Sequence, residues 1–126
     1  MTSRKILVVE DNPLNLKLLR DVLQVAGYEV IEARSGEDGV RLAEEDPPDL
    51  VLMDLQLPGI DGYEALRRLR QPKSVPNVPV VAVTAFAMAE DRKRAMAAGF
   101  DGYVEKPISV RELPGRVEAF LNRREL

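Results

Sequence analysis

Short apolar runs alternate with segments of helical periodicity along the whole chain. Five runs of the strand type are predicted, and they cover residues 5–10, 28–33, 49–54, 79–83 and 102–105. Runs of this length that are apolar at nearly every position are typical of parallel strands buried on both faces. A helix is predicted after each run, which indicates a three-layer α/β domain with right-handed crossovers. The alternation alone leaves several orders of the five strands open.

The predicted helices carry start signals. Asn12 and Pro13 are of the types preferred at an N-cap and at the first helical position. Ser35 has an acidic residue three positions later, as a capping box requires, and so does Ser109. Pro114 and Gly115 fall early in the last helix and predict a strained or tightened first turn there.

Two helices differ in how well they can be anchored. The first should bury one stripe at helical spacing, formed by Leu18, Leu19, Val22, Leu23 and Ala26. The fourth, predicted over residues 89–99, offers mostly alanines and Met96 for its apolar face. Weakly anchored elements move most easily, so the fourth helix is the one expected to shift.

Polar side chains stand where four of the apolar runs end. Glu10 ends the first run and Asp11 follows it, Asp54 ends the third, Thr84 follows the fourth and Lys106 follows the fifth. Ligands of open parallel sheets bind outside the carboxyl ends of the strands. The sequence therefore predicts a cation site with a reactive carboxylate at one edge of the sheet.

Each of these residues has an ordinary interpretation when it is taken alone. A carboxylate often caps a turn or a helix, and a threonine or lysine at a strand end is common. Together, however, three adjacent carboxylates repel one another, and without a cation one of them would be pushed toward protonation. A hard divalent cation relieves the repulsion, and Mg²⁺ suits oxygen ligands. The chain has no histidine or cysteine to favour Zn²⁺.

The predicted site suits phosphoryl transfer. A carboxylate can attack phosphorus and form an aspartyl phosphate. The transferring oxygens need charge neutralisation, which Mg²⁺ and Lys106 can supply, while Thr84 can donate a hydroxyl hydrogen bond. Ala85 leaves room for the phosphoryl group.

Composition narrows the class of protein. The chain has 126 residues and a net charge of −3, which argues against a general nucleic-acid binder. The absence of cysteine excludes thiol catalysis and disulfides, and the absence of histidine means that phosphohistidine chemistry needs a partner. No stretch has the length of a signal peptide or a membrane span, so we expect a cytoplasmic protein without membrane insertion.

Taken together, Glu10-Asp11, Asp54, Thr84-Ala85 and Lys106-Pro107 resemble the signature of the response-regulator receiver domain. The resemblance extends from residue 5 to about residue 122. The stretches at 53–58 and 83–88 are similar to stand-alone receivers of the DivK kind. The resemblance implies a flavodoxin-like (βα)5 fold with strand order 2-1-3-4-5, and one receiver domain over residues 1–126 without an effector domain.

The resemblance also implies a reaction. Asp54 would accept a phosphoryl group from a histidine kinase or a histidine phosphotransfer protein. Asp11, Asp54 and the carbonyl of Gln56 would hold Mg²⁺, with Glu10 acting directly or through water. Thr84 and Lys106 would contact the phosphoryl oxygens. The chain would act on its own Asp54 only and would not be an enzyme in the usual sense.

Further roles follow from the same resemblance. Tyr103 would be the aromatic switch that turns inward when Thr84 moves, so that phosphorylation changes the binding of a downstream protein. The peptide bond between Lys106 and Pro107 would be cis. Gln56 and Phe86 would border the path of the hydrolytic water and set the phosphoryl lifetime. The protein would be a monomer or a weak dimer.

Three other functions fit the sequence less well than this one. A degenerate receiver would serve as an adaptor without phosphorylation, although all the residues needed for phosphorylation are present. A small Mg²⁺-dependent phosphatase would need another acid–base carboxylate and a substrate cap. A flavin- or nucleotide-binding protein of the same fold would need a phosphate-binding loop after the first strand, where Glu10 and Asp11 stand instead.

Overall fold

The structure, a computed structural model, describes residues 3–85 and 88–125. The five strands are β1 Lys5–Val9, β2 Glu29–Ala33, β3 Leu50–Asp54, β4 Val80–Thr84 and β5 Gly102–Glu105. The five helices are α1 Pro13–Val25, α2 Gly36–Glu45, α3 Gly62–Leu69, α4 Ala89–Ala98 and α5 Leu113–Glu125. In the described ranges, no helix has the length and apolar character that crossing a membrane requires.

The strands form one parallel sheet in the order β2-β1-β3-β4-β5, which confirms the predicted fold. In the middle of the sheet, Val9 is in register with Ala33 on one side and with Met53 on the other. Asp54 is in register with Val83. The carboxyl ends of the strands therefore meet at one edge, and the polar residues that follow them are brought together.

Two apolar cores cover the two faces of the sheet. Buried residues of α1 and α5 pack on one face against alternate side chains of the central strands. Buried residues of α2, α3 and α4 pack on the other face with the remaining strand side chains. The strands β3 and β4 are buried along their whole length, as expected for strands covered on both sides.

The predicted stripe of α1 is partly wrong. The buried residues of this helix are Leu16, Leu19 and Leu23. Leu18 is 37% exposed, and Ala26 lies outside the core. The helix contains more leucines than its buried face can take, so the pattern alone placed the stripe about one residue out of phase.

The start of α5 also differs from the prediction. The Ser109 hydroxyl accepts a hydrogen bond from the Glu112 amide at 3.2 Å, as a cap does. However, residues 110–112 form a turn, and the helix begins at Leu113. Pro114 therefore lies in the first helical turn, where a missing amide N–H removes no helical hydrogen bond.

The predicted weak anchoring of α4 is confirmed, and the structure describes this helix over its whole length. Ala95 is its one buried residue, and Met96 is 46% exposed. The helix is held in addition by two arginines that lie over aromatic rings. The guanidinium of Arg94 is 4.5 Å from the ring centre of Tyr63, and that of Arg92 is 6.0 Å from the ring centre of Tyr103. Contacts of this kind are worth about 0.5–1 kcal/mol at exposed positions.

Candidate functional site

The edge formed by the carboxyl ends of the strands brings the predicted polar residues together. Glu10 and Asp54 are almost completely buried, with 1% and 5% of their surface exposed, whereas Asp11 is exposed. One oxygen from each of the three carboxylates lies within 4.8 Å of the others. The strand order places β1 next to β3, and this adjacency alone explains why residues 10, 11 and 54 meet.

Lys106 lies between the two buried carboxylates. Its Nζ is 2.6 Å from Glu10 Oε1 and 3.1 Å from Asp54 Oδ2. The backbone holds the lysine in place, because its amide donates to the Thr84 carbonyl at 2.8 Å. The ammonium group thus partly neutralises a pocket that would otherwise carry only negative charge.

The protonation of Glu10 reflects this crowding. Burial raises the pKa of Glu10 above its ordinary value, and the neighbouring Asp54 carboxylate raises it further. Lys106 and the amide of Asn12 act in the opposite direction without cancelling the increase in the pKa of Glu10. For Lys106, burial lowers the pKa, but the hydrogen bonds and charges of Glu10 and Asp54 outweigh burial and leave the pKa of Lys106 raised.

The donor set of the site fits a hard divalent cation. Three carboxylates contribute oxygens, and burial together with the neighbouring Asp54 raises the pKa of Glu10, an increase that a bound cation would oppose. Gln56 lies on the loop after β3, where its amide donates to Asp54 Oδ1 at 2.9 Å and its side chain is exposed. Mg²⁺ is the cation that prefers a small number of carboxylates supplemented by other oxygens.

A glycine that sequence reasoning did not single out shapes this loop. A Cβ atom at Gly62 would lie 2.6 Å from the Asp54 carbonyl oxygen and 2.8 Å from Leu55 Cα. The first turn of α3 can therefore approach the end of β3 only because residue 62 has no side chain. The Gly62 amide donates to the Leu55 carbonyl at 3.1 Å, and Asp61 caps the helix. The sequence signal that could have revealed this is a glycine directly after an N-cap aspartate.

The remaining predicted residues lie around this centre. Thr84 at the end of β4 is completely buried, and Tyr103 in β5 is 3% exposed. The peptide bond between Lys106 and Pro107 is cis. Phe86, predicted to tune the phosphoryl lifetime, lies outside the described residues.

Comparison with known proteins identifies relatives along nearly the whole chain. Residues 6–118 match the sequence profile of the response regulator receiver domain. The polar-differentiation response regulator DivK of Brucella ovis is 43% identical over 119 residues, which cover 94% of this chain and 97% of that protein. DivK of Brucella anthropi is 42% identical over 118 residues, with 94% and 96% of the two chains covered.

Solved structures show the same similarity. A putative response regulator from Chloroflexus aurantiacus superposes with a TM-score of 0.91 at 34% identity and covers 97% of this chain and 100% of its own. The receiver domain of the sensor histidine kinase PA1611 from Pseudomonas aeruginosa superposes with a TM-score of 0.88 at 36% identity, with 96% and 99% covered. That structure has a magnesium ion coordinated in its active-site cleft.

Proposed function

This chain belongs to the response-regulator receiver family of two-component signalling, and we propose that it accepts a phosphoryl group on Asp54. The observation that supports this role most strongly is the placement of Asp54 in the site. Its side chain is buried, its Oδ2 contacts the ammonium of Lys106, and its Oδ1 accepts the amide of Gln56. Two further carboxylates stand beside it. A carboxylate in such surroundings can be brought against an anionic phosphoryl group once a cation has neutralised the pocket.

Receiver domains act as phosphoryl-accepting switches that interact with histidine kinases or phosphotransfer proteins. In the reaction proposed for this chain, an oxygen of Asp54 forms a bond to phosphorus while the bond between phosphorus and the histidine nitrogen of the donor breaks. The electron pair of that bond returns to the imidazole ring. Because this chain contains no histidine, the imidazole belongs to the partner.

The other residues of the site have distinct proposed roles. Asp11, Asp54 and the carbonyl of Gln56 would hold Mg²⁺, with Glu10 acting directly or through water, and a bound Mg²⁺ supplies charge neutralisation for the phosphoryl oxygens. Lys106 places a positive charge, and Thr84 a hydroxyl donor, where the phosphoryl oxygens arrive. The side chain of Tyr103 would turn inward when Thr84 moves, and this would change the surface on which a downstream protein binds.

Intact-mass spectrometry after incubation with acetyl phosphate and Mg²⁺ tests the acceptor. We expect a mass gain of one phosphoryl group that is absent from Asp54→Asn and from Asp54→Ala. Asp46→Asn is the matched control, because Asp46 pairs with Lys5 at the opposite edge of the sheet. A mass gain that persists in both Asp54 variants would show that the acceptor is a different residue. No mass gain in the wild type would favour the phosphorylation-independent adaptor.

Mg²⁺ titration tests the cation site separately from the acceptor. Asp11→Ala removes an exposed carboxylate, so the fold should be retained. We expect the variant to lose both Mg²⁺ binding and phosphorylation. A titration identical to that of the wild type would exclude Asp11 as a ligand.

A further inference from the structure

We propose that Arg34 is a positioning residue whose charge draws the anionic phosphoryl donor toward Asp54. The proposal rests on the proposed function, because it concerns how the donor reaches the same acceptor. Arg34 is the first residue after β2, it is exposed, and it is not one of the residues of the receiver signature.

The register of the sheet places Arg34 in one row with the site. Val9 is in register with Ala33 in β2 and with Met53 in β3. The residues that follow these three are Glu10, Arg34 and Asp54, and the Glu10 amide continues the ladder by donating to the Ala33 carbonyl at 3.0 Å. Neighbouring strands lie roughly 4.8 Å apart, so the backbones of Arg34 and Asp54 are separated by about 10 Å.

The charge of Arg34 is not offset by a neighbour in the groove that it lines. This groove of about 280 Å³ lies between α1 and β2 and is lined by Pro13, Leu16, Lys17, Arg20, Glu32 and Arg34. Lys17 pairs with Asp21 at 2.6 Å. Arg20 pairs with Asp21 at 3.2 Å and with Glu32 at 3.3 Å. Of the described residues that line the groove, Arg34 is the cation without an ion pair.

The acceptor site has no excess of positive charge to attract an anionic donor, and Arg34 can supply one. Three carboxylates against the single ammonium of Lys106 leave the acceptor site negative, and a bound Mg²⁺ would only neutralise this excess, so the site itself would not attract an anion. At a distance equal to the backbone separation of about 10 Å, a unit charge in water changes the local concentration of a dianion by about fourfold at low ionic strength. This effect weakens strongly at about 0.15 M salt, where the screening length is about 8 Å.

Small donors test the charge directly, without a cognate kinase. The measurement is the second-order rate constant for phosphorylation by acetyl phosphate at saturating Mg²⁺ and low ionic strength. We expect about a fourfold decrease for Arg34→Gln and, because the change in charge is twice as large, about a sixteenfold decrease for Arg34→Glu. Arg34→Lys should retain the wild-type rate constant. The matched control is Lys73→Glu, which reverses an exposed charge in the connection between α3 and β4, at the opposite edge of the sheet.

Three further measurements distinguish the loss of the Arg34 charge from structural damage to the acceptor site. The decrease should be smaller for phosphoramidate, which carries less negative charge than acetyl phosphate. It should largely vanish at about 0.5 M salt. Mg²⁺ should bind more tightly to Arg34→Glu than to the wild type, because the removed charge repels the cation. If the substitution damaged the site, Mg²⁺ and the anionic donor would both bind less well.

The outcomes are distinct. Equal rate constants for Arg34→Glu and Lys73→Glu at low salt would overturn the proposal while leaving Asp54 as the acceptor. A decrease that persists at high salt, or that comes with weaker Mg²⁺ binding, would also overturn it. If the wild type itself takes up no phosphoryl group, the proposed function fails first.

Discussion

The ammonium group of Lys106 lies 3.1 Å from the carboxylate of Asp54, 52 residues earlier in the chain. The side chains of the pair are 17% and 6% exposed, so water screens the two charges only weakly. The same ammonium also contacts Glu10. One cation thus supports two buried carboxylates, and its removal would leave each with only a backbone amide as a partner.

Replacement of Lys106 by methionine should therefore affect both reactivity and stability. We expect phosphorylation by acetyl phosphate to slow by about 100-fold, since one charged contact to the phosphoryl oxygens is lost. The free energy of unfolding of the metal-free protein should fall by about 3 kcal/mol, because buried carboxylates lose their partner. Urea unfolding measures the second effect. Lys5→Met, which breaks an exposed pair with Asp46, should change stability little.

Stability should depend on pH through Glu10. A carboxyl group whose pKa is raised in the folded state stabilises the fold at low pH, and this contribution is lost as the pH rises from about 4.5 through the raised pKa. The metal-free protein should therefore lose stability over this range, and Glu10→Gln should flatten the dependence. Mg²⁺ should restore stability to the wild type at neutral pH.

Urea unfolding at a series of pH values from about 4 to 7.5 measures this dependence. Glu64→Gln is the control, because hydrogen bonds from Arg67 and Arg68 lower the pKa of Glu64 to about 2. That carboxylate stays charged throughout the window and should leave the slope unchanged. A slope that is equally steep in Glu10→Gln would contradict the assignment to Glu10.

Two glycines should respond in opposite ways to alanine. Gly62→Ala places a methyl group against the backbone of Asp54 and Leu55, so we expect a loss of about 1–3 kcal/mol in stability and slower phosphorylation. At Gly115 in α5 the added methyl group would meet nothing within 4 Å. Gly115→Ala should therefore be neutral or stabilise the helix by about 0.5–1 kcal/mol. Thermal unfolding of the two variants, measured side by side, provides the comparison.

The proposed switch predicts that a substitution at Thr84 leaves the phosphorylation of Asp54 intact but blocks the structural change that it causes in β5 and α4. Thr84→Ala should still gain the phosphoryl mass, because Asp54 and Lys106 remain. In backbone amide NMR spectra, acetyl phosphate should shift resonances of β5 and α4 in the wild type but only those near Asp54 in the variant. Thr84→Ser, which keeps the hydroxyl, should resemble the wild type. Shifts at Tyr103 that are the same in Thr84→Ala would rule out the coupling.

The lifetime of the phosphoryl group should depend on residue 86. Phe86 is bulky and offers no hydrogen bond to orient water, whereas Gln56 is polar and could position it. We expect the shielding to dominate, so that Phe86→Ala loses the phosphoryl group several-fold faster. The decay of the phosphorylated mass after removal of the donor gives the rate. Equal or slower decay in the variant would show that this side chain does not limit the access of water.

Much of the fold was predictable because its signals are local and repeated. Apolar runs bounded by turn residues gave the five strands, and the cap at Asn12 gave the start of α1. The strand order followed from the family resemblance and not from the alternation. The buried stripe of α1 was misplaced because Leu18 and Leu16 have the same chemistry, and only packing against the sheet distinguishes them.

The site was predictable as a set of residues but not as a set of contacts. The carboxyl ends of parallel strands lie at the same edge of a sheet, so the sequence predicts that Glu10 and Asp54 are close together. The position of Lys106 between them depends on side-chain directions that no periodicity encodes. The close approach at Gly62 likewise depends on the distance between two elements. The same holds for the contact of Arg94 with Tyr63, which joins α4 to α3.

The position of the candidate site at the ends of four adjacent strands links its chemistry to the integrity of the whole sheet. Glu10 follows the first strand and Lys106 follows the last, so detachment of β5 would take the ammonium away from the carboxylates. A partly folded chain would then present a carboxylate without its cation, and a donor protein would not complete the transfer. On the proposed function, only chains with a complete sheet would accept the phosphoryl group, so signalling would be restricted to fully folded molecules.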